Sequence, residues 1–173
     1  MRRLLITFIN IILCSTFEII GLIFPIRNVY ISSQIQQEQV YYIQNSINKM
    51  GLNQTYDKNK DHIRIQYDND IIGNTAMSAT LYQIGSFVVE STIISFNPNI
   101  YENVLGCIIL HELGHAHGLQ HNSNVSSIMN YTVYINDYGY ILNQNEECSL
   151  SDDDNLGIEY LSKKKMNSIL YPN

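Results

Sequence analysis

The stretch HELGHAHGLQH, His111 to His121, places four of the chain's five histidines within eleven residues. Imidazole nitrogen is a common metal donor, so the first question is which of the four can meet on one ion. On a helix, His111 and His115 sit about 40° apart around the axis and one turn apart along it, close enough to share a zinc ion at roughly 2.0–2.1 Å each. His117 points about 240° away from His111, which removes it from that set. His121 would lie about 15 Å along an unbroken helix, so it joins only if the helix ends first. Gly118 is placed to end it, because glycine adopts the left-handed conformation that turns the chain. The expected metal ligands are His111, His115 and His121.

Three histidines leave one position on a tetrahedral ion open, the arrangement of a catalytic site. Water there becomes acidic enough to act as a nucleophile near neutral pH, and the metal stabilises the developing oxyanion. Glu112, next to the first ligand, is the expected general base, taking a proton from that water and returning it to the leaving amine. The competing reading is a zinc-bearing but catalytically silent extracellular binding or envelope protein. Glu112 counts against it, since a purely structural metal site has no use for a carboxylate there. An aminopeptidase would need a charge anchor in its cleft, and none is identifiable.

The elements that position these residues are legible in outline. The segment from Ile100 to His117 is apolar on nearly every side, as a helix buried in mid-domain is, and Asn99 with Glu102 resembles a capping box at its start. Upstream, Ile35, Val40, Ile43, Ile47 and Met50 form one stripe of a helix that a serine can cap and Gly51 can end. His62 to Asp68, Ala79 to Gly85 and Phe87 to Asn97 read as strands, rich in β-branched and aromatic residues. Downstream, SLSDDDNLGIEYLSKKK starts a last helix, with Ser151 as cap, acids in the first turn and lysines in the last. Strands grouped between helices make this an α+β pattern.

At 173 residues the chain suits a single domain, and a net charge of -6 without a basic face argues against nucleic acid as a partner. Residues 1–24 differ in kind. Arg2 and Arg3 precede an apolar run from Leu4 to Leu13, the pattern of a secretory signal peptide. Extended to Phe24, the run is instead an uncleaved membrane anchor, with Glu18 sitting awkwardly inside it. Either reading makes residues 25–173 one domain outside the cytosol, secreted or tethered, with membrane contact only through that N-terminal segment. Disulfides are permitted there. With Cys14 removed, Cys107 and Cys148 are the candidates for a pair, against the alternative of two buried free thiols.

HELGHAHGLQH has the form HExxHxxGxxH, the zinc signature of the metzincin metalloproteases. SIMNY, Ser127 to Tyr131, resembles their methionine turn, and Met129 follows His121 by eight residues, a short spacing similar to that of the matrixins. LSDDDNLGIEYL resembles the matrixin segment that opens the C-terminal helix, where Asp153 and Asp154 match acids that brace the methionine turn or receive the N-terminal ammonium. The resemblance runs roughly from Ile31 to Leu161. It implies a metzincin-like fold: a small mixed twisted sheet packed on a helix, a buried zinc-binding helix, a methionine turn and a C-terminal helix.

The resemblance also implies one catalytic zinc ion and an extended protein or peptide substrate laid antiparallel to an edge strand. Ala79 to Gly85 is the candidate strand, and the tyrosine-rich loop after Met129 is the candidate pocket wall. The pattern of the matrixin structural zinc is missing between His62 and Phe96, while calcium stays open. Two departures stand out. Asn122 replaces the serine that typically follows the third histidine in matrixins. Tyr131 resembles the astacin and serralysin tyrosine that ligates zinc or stabilises the oxyanion, which makes it a second catalytic candidate.

Overall fold

A computed structural model describes residues 28–58, 63–82, 89–124, 126–130 and 148–163. In chain order the elements are β1 (Asn28–Ile31), α1 (Gln37–Lys49), β2 (Asn53–Thr55), β3 (Ile63–Tyr67), β4 (Ala76–Tyr82), β5 (Val89–Phe96), α2 (Glu102–His117) and α3 (Asp152–Lys163). The strands form one mixed sheet in the order β2-β1-β3-β5-β4. Four of them run parallel, and β4 closes one edge antiparallel to β5. This is the α+β, metzincin-like architecture that the resemblance implies.

Alternation along the strands decides which face the helices cover. Val29, Ile63, Ile65, Ile94 and Phe96 are fully buried, and their register puts Val29 beside Ile63 and Ile65 beside Ile94. Against them lie Ile43 and Ile47 of α1 and a helix α2 buried nearly all round, from Val104 and Leu105 through Ile109, Leu110 and Leu113 to Ala116. Burying each large aliphatic side chain contributes roughly 1.5–3 kcal/mol, so α2 is held chiefly by its surroundings and little by its own propensity. Ser46 Oγ of α1 lies 2.8 Å from the Gly106 carbonyl, which joins the two helices at close range.

Several sequence expectations need correction in detail. No serine caps α1: its N-cap is Gln36, with no side-chain cap. Ser32 lies four residues before that cap, where its backbone N–H donates to Ile65 at 2.9 Å and prolongs the strand pairing. The Asn99–Glu102 capping box does not form either, and α2 starts from Tyr101 without a side-chain cap. Donors in that lead-in are taken elsewhere, Asn99 N–H by Asn97 Oδ1 at 2.8 Å and Tyr101 N–H by Asn74 Oδ1 at 2.9 Å. The edge strand begins at Ala76, three residues before the expected Ala79, and residues 83–85 lie outside the described residues.

Ser151 does cap α3, reciprocally with Asp154. Its Oγ accepts the Asp154 N–H at 3.2 Å, while Asp154 Oδ2 accepts the Ser151 N–H at 2.9 Å. Cys107 and Cys148 are joined in a disulfide, which decides between the two cysteine readings. Among the described residues no helix is long and apolar enough to cross a membrane, and residues 1–24 lie outside them.

Candidate metal centre

The two helical histidines and the third are brought together by the break at Gly118. That residue has φ 100°, in the left-handed region that only glycine enters at little cost. Its N–H returns to the His115 carbonyl at 2.9 Å and the Leu119 N–H to the Gly114 carbonyl at 3.0 Å, a Schellman ending. The chain then reverses and delivers His121 beside the helix. His121 Nε2 lies 3.0 Å from His111 Nε2 and 3.1 Å from His115 Nε2. Around a tetrahedral zinc with bonds of ~2.05 Å, donor atoms are about 3.3 Å apart, so the three nitrogens are spaced as atoms that could share one ion.

Each helical ligand is oriented through its other nitrogen. His111 Nδ1 lies 2.7 Å from the Ile128 carbonyl, and His115 Nδ1 lies 2.9 Å from the Leu119 carbonyl. A carbonyl only accepts, so both Nδ1 atoms carry the proton and both Nε2 lone pairs point into the cluster. His121 has at most one Nε2 proton to offer the two facing lone pairs. Cation binding resolves that surplus, and among the described residues these three histidines are the group that could hold a metal ion. Burial pushes His111 down to about 4 from 6.5; positive charge on His115 and His121 adds to the effect, while the Ile128 bond and Asp154 oppose it. Burial foremost, with His115, lowers His121 as well, against Glu112. Both are therefore neutral near pH 7, the state that binds metal.

Glu112 is nearly buried, at 8% exposure, and close enough to His121 to act on its charge. Among the described residues no hydrogen bond engages its carboxylate. His117 stands outside the ligand cluster, as its angle requires. Tyr131 and most of the tyrosine-rich loop lie outside the described residues.

Beneath the ligands, Met129 is 1% exposed and packs so tightly under α2 that a Cβ on Gly114 would overlap its sulfur and meet its Cε at 3.3 Å. The turn is held from α3. Asp154, with no exposed surface, accepts the Ser127 hydroxyl at 2.5 Å and the Ile128 N–H at 2.9 Å. Asp153 Oδ2 accepts the Asn124 amide at 2.9 Å. Sequence reasoning had no access to the roles of Ile128 and Leu119, since both act through backbone carbonyls.

A helix pair of histidines, a returning third, a neighbouring buried glutamate and a methionine turn beneath them define a metal-dependent peptidase of the metzincin class. Residues 55–163 match the family model described as Matrixin, and the chain belongs to that family. Among solved structures the chain is similar to high choriolytic enzyme 1, a hatching enzyme zinc-protease from Oryzias latipes (medaka fish). The two share 16% identity over 82% of this chain and 90% of that one, with a TM-score of 0.49. It is similar also to myroilysin, at 14% identity over 81% of this chain and 84% of that one, with a TM-score of 0.45. No curated protein matches the chain.

Proposed function

We propose that this protein is a zinc-dependent endopeptidase that acts outside the cytosol, with residues 1–24 as its signal peptide or membrane anchor and residues 25–173 as one catalytic domain. The observation that supports the reading is the convergence of three Nε2 atoms near Glu112, a residue only 8% exposed whose carboxylate has no hydrogen bond among the described residues. His111, His115 and His121 would hold the ion. When bound, zinc supplies the Lewis acid that polarises the scissile carbonyl and acidifies water.

Glu112 takes the proton from the attacking water and hands it to the departing amine, so that the leaving group is neutral. Its low exposure limits competing solvent, which strengthens its interaction with the reacting atoms. The substrate lies extended along β4, an edge strand of the sheet, whose outward N–H and C=O groups can pair with a peptide in the antiparallel sense. Such main-chain pairing fixes the bond to be cut without selecting side chains. Tyr131 is kept as a candidate oxyanion donor.

A mixed peptide library incubated with the purified protein tests this reading. Internal cleavage that stops on chelation and returns with added zinc is expected. A zinc-loaded protein that leaves every peptide intact would instead favour a catalytically silent binding protein.

A further inference from the structure

His111 and His115 take their positions from α2, but His121 belongs to no helix or strand. Something else must fix it. The next residue, Asn122, is polar yet only 4% exposed, and it is tied on three sides. Its backbone N–H donates to the Met129 carbonyl at 2.9 Å, in an isolated parallel bridge with Asn130. Its Oδ1 accepts the Asn124 N–H at 3.0 Å, and its Nδ2 donates to Ser127 Oγ at 2.9 Å.

We infer that Asn122 is a positioning residue that locks the third metal ligand, His121, to the methionine turn through Ser127. The inference rests on the zinc reading of the histidine cluster. Proton accounting shows why the side chain cannot be a carboxylate. Ser127 has one hydroxyl proton, and it goes to Asp154 Oδ1. Its oxygen then only accepts, from Met129 N–H at 2.9 Å and from the group at position 122. That group must therefore donate to Ser127 while accepting from Asn124. An amide does both at once; a carboxylate of the same shape accepts at both ends and turns its oxygen on the oxygen of Ser127. The serine typical of matrixins at this position is shorter than asparagine and has a single hydroxyl for both tasks.

Through this chain the buried carboxylate of Asp154 bears on two ligands by separate routes, His111 through the backbone of Ile128 and His121 through Ser127 and Asn122. Groups that orient metal ligands from behind typically change metal affinity by about 10- to 100-fold when removed.

Zinc affinity, measured by competition with a chromophoric chelator on the full chain, tests the assignment, with melting of the metal-free forms recorded beside it. Asn122→Ala and Asn122→Asp are each expected to weaken zinc binding by about 10- to 100-fold. Asn122→Ser, which keeps a hydroxyl, is expected to fall between them and the wild type. It also carries the test if the other two do not fold. Wild-type affinity in the folded variants, with only a lower metal-free melting temperature, would overturn the positioning role and leave a structural one. A wild type that binds no zinc sinks the metal-site reading itself, a result distinct from the loss of this inference alone.

Discussion

The Nδ1 of His111 lies 2.7 Å from the carbonyl oxygen of Ile128, so a residue of the methionine turn sets the tautomer and ring angle of the first ligand. The backbone N–H of the same residue donates to Asp154 Oδ2 at 2.9 Å. Asp154→Ala removes that support and orphans two buried donors, Ile128 N–H and the Ser127 hydroxyl, at ~1–3 kcal/mol each. A loss of about 3 kcal/mol in urea denaturation is expected, together with weaker zinc binding. A variant of unchanged stability would show that water or another group serves these donors.

Gly114→Ala sets two effects against each other. Alanine improves helix propensity by ~1 kcal/mol, whereas the new Cβ collides with the Met129 side chain packed beneath α2. Overpacking a filled core typically costs about 1–3 kcal/mol, so the collision should win and the melting temperature should drop. Adding Met129→Ala in the same chain removes the obstacle. The double variant is expected to be more stable than the sum of the two single changes implies, and strict additivity would argue against the contact.

Much of this site was legible because its chemistry is local. Helical angles alone joined His111 to His115 and set His117 aside, and Gly118 announced the break that frees His121. Ser151 was likewise readable as a cap, since its partner is three residues away. Failures came where distant groups intervene. Strands β1 and β2 have four and three residues, too few for a periodic signal, and exist by pairing with each other and with β3. No serine caps α1, whose N-cap is Gln36, and Asn99 stands two residues before the N-cap Tyr101, with its N–H on Asn97 Oδ1. Asn122 was noticeable as a departure from the family pattern, but its role depends on a proton count around Ser127 that only the folded geometry reveals.

The Cys107–Cys148 disulfide closes a span of 41 residues that includes His111, His115, His121, Glu112 and Met129. Cys107 sits one helical turn before His111 on α2, so the link ties the ligand helix to the approach of α3. Loop-closure entropy assigns a bridge of this span about 4 kcal/mol. Reduction, or Cys107→Ser with Cys148→Ser, should lower the melting temperature well beyond experimental error. An unchanged melting curve would show that the unfolded chain is not restrained by the bridge.

Metal-free protein should lose stability on acidification in a defined window. Burial, the chief cause, holds His111 at about 4 in the folded state against 6.5 unfolded. Between those values the unfolded chain binds the proton and the folded one does not, so stability is full above 6.5 and declines as pH falls toward 4. In urea denaturation of the metal-free protein, His111→Asn should flatten this slope relative to the wild type. Equal slopes for the two would remove His111 as its source.

In the proposed reaction Glu112 moves the proton in peptide hydrolysis while the three histidines hold the metal. Glu112→Gln keeps shape and hydrogen-bonding capacity but cannot accept that proton at neutral pH. Cleavage of a peptide substrate, measured alongside zinc content, is the most direct test. The expected result is bound zinc equal to the wild type with turnover reduced by about 100-fold or more, the scale of general-base catalysis. Turnover near the wild-type rate in the zinc-loaded Glu112→Gln protein would show that Glu112 is not the base.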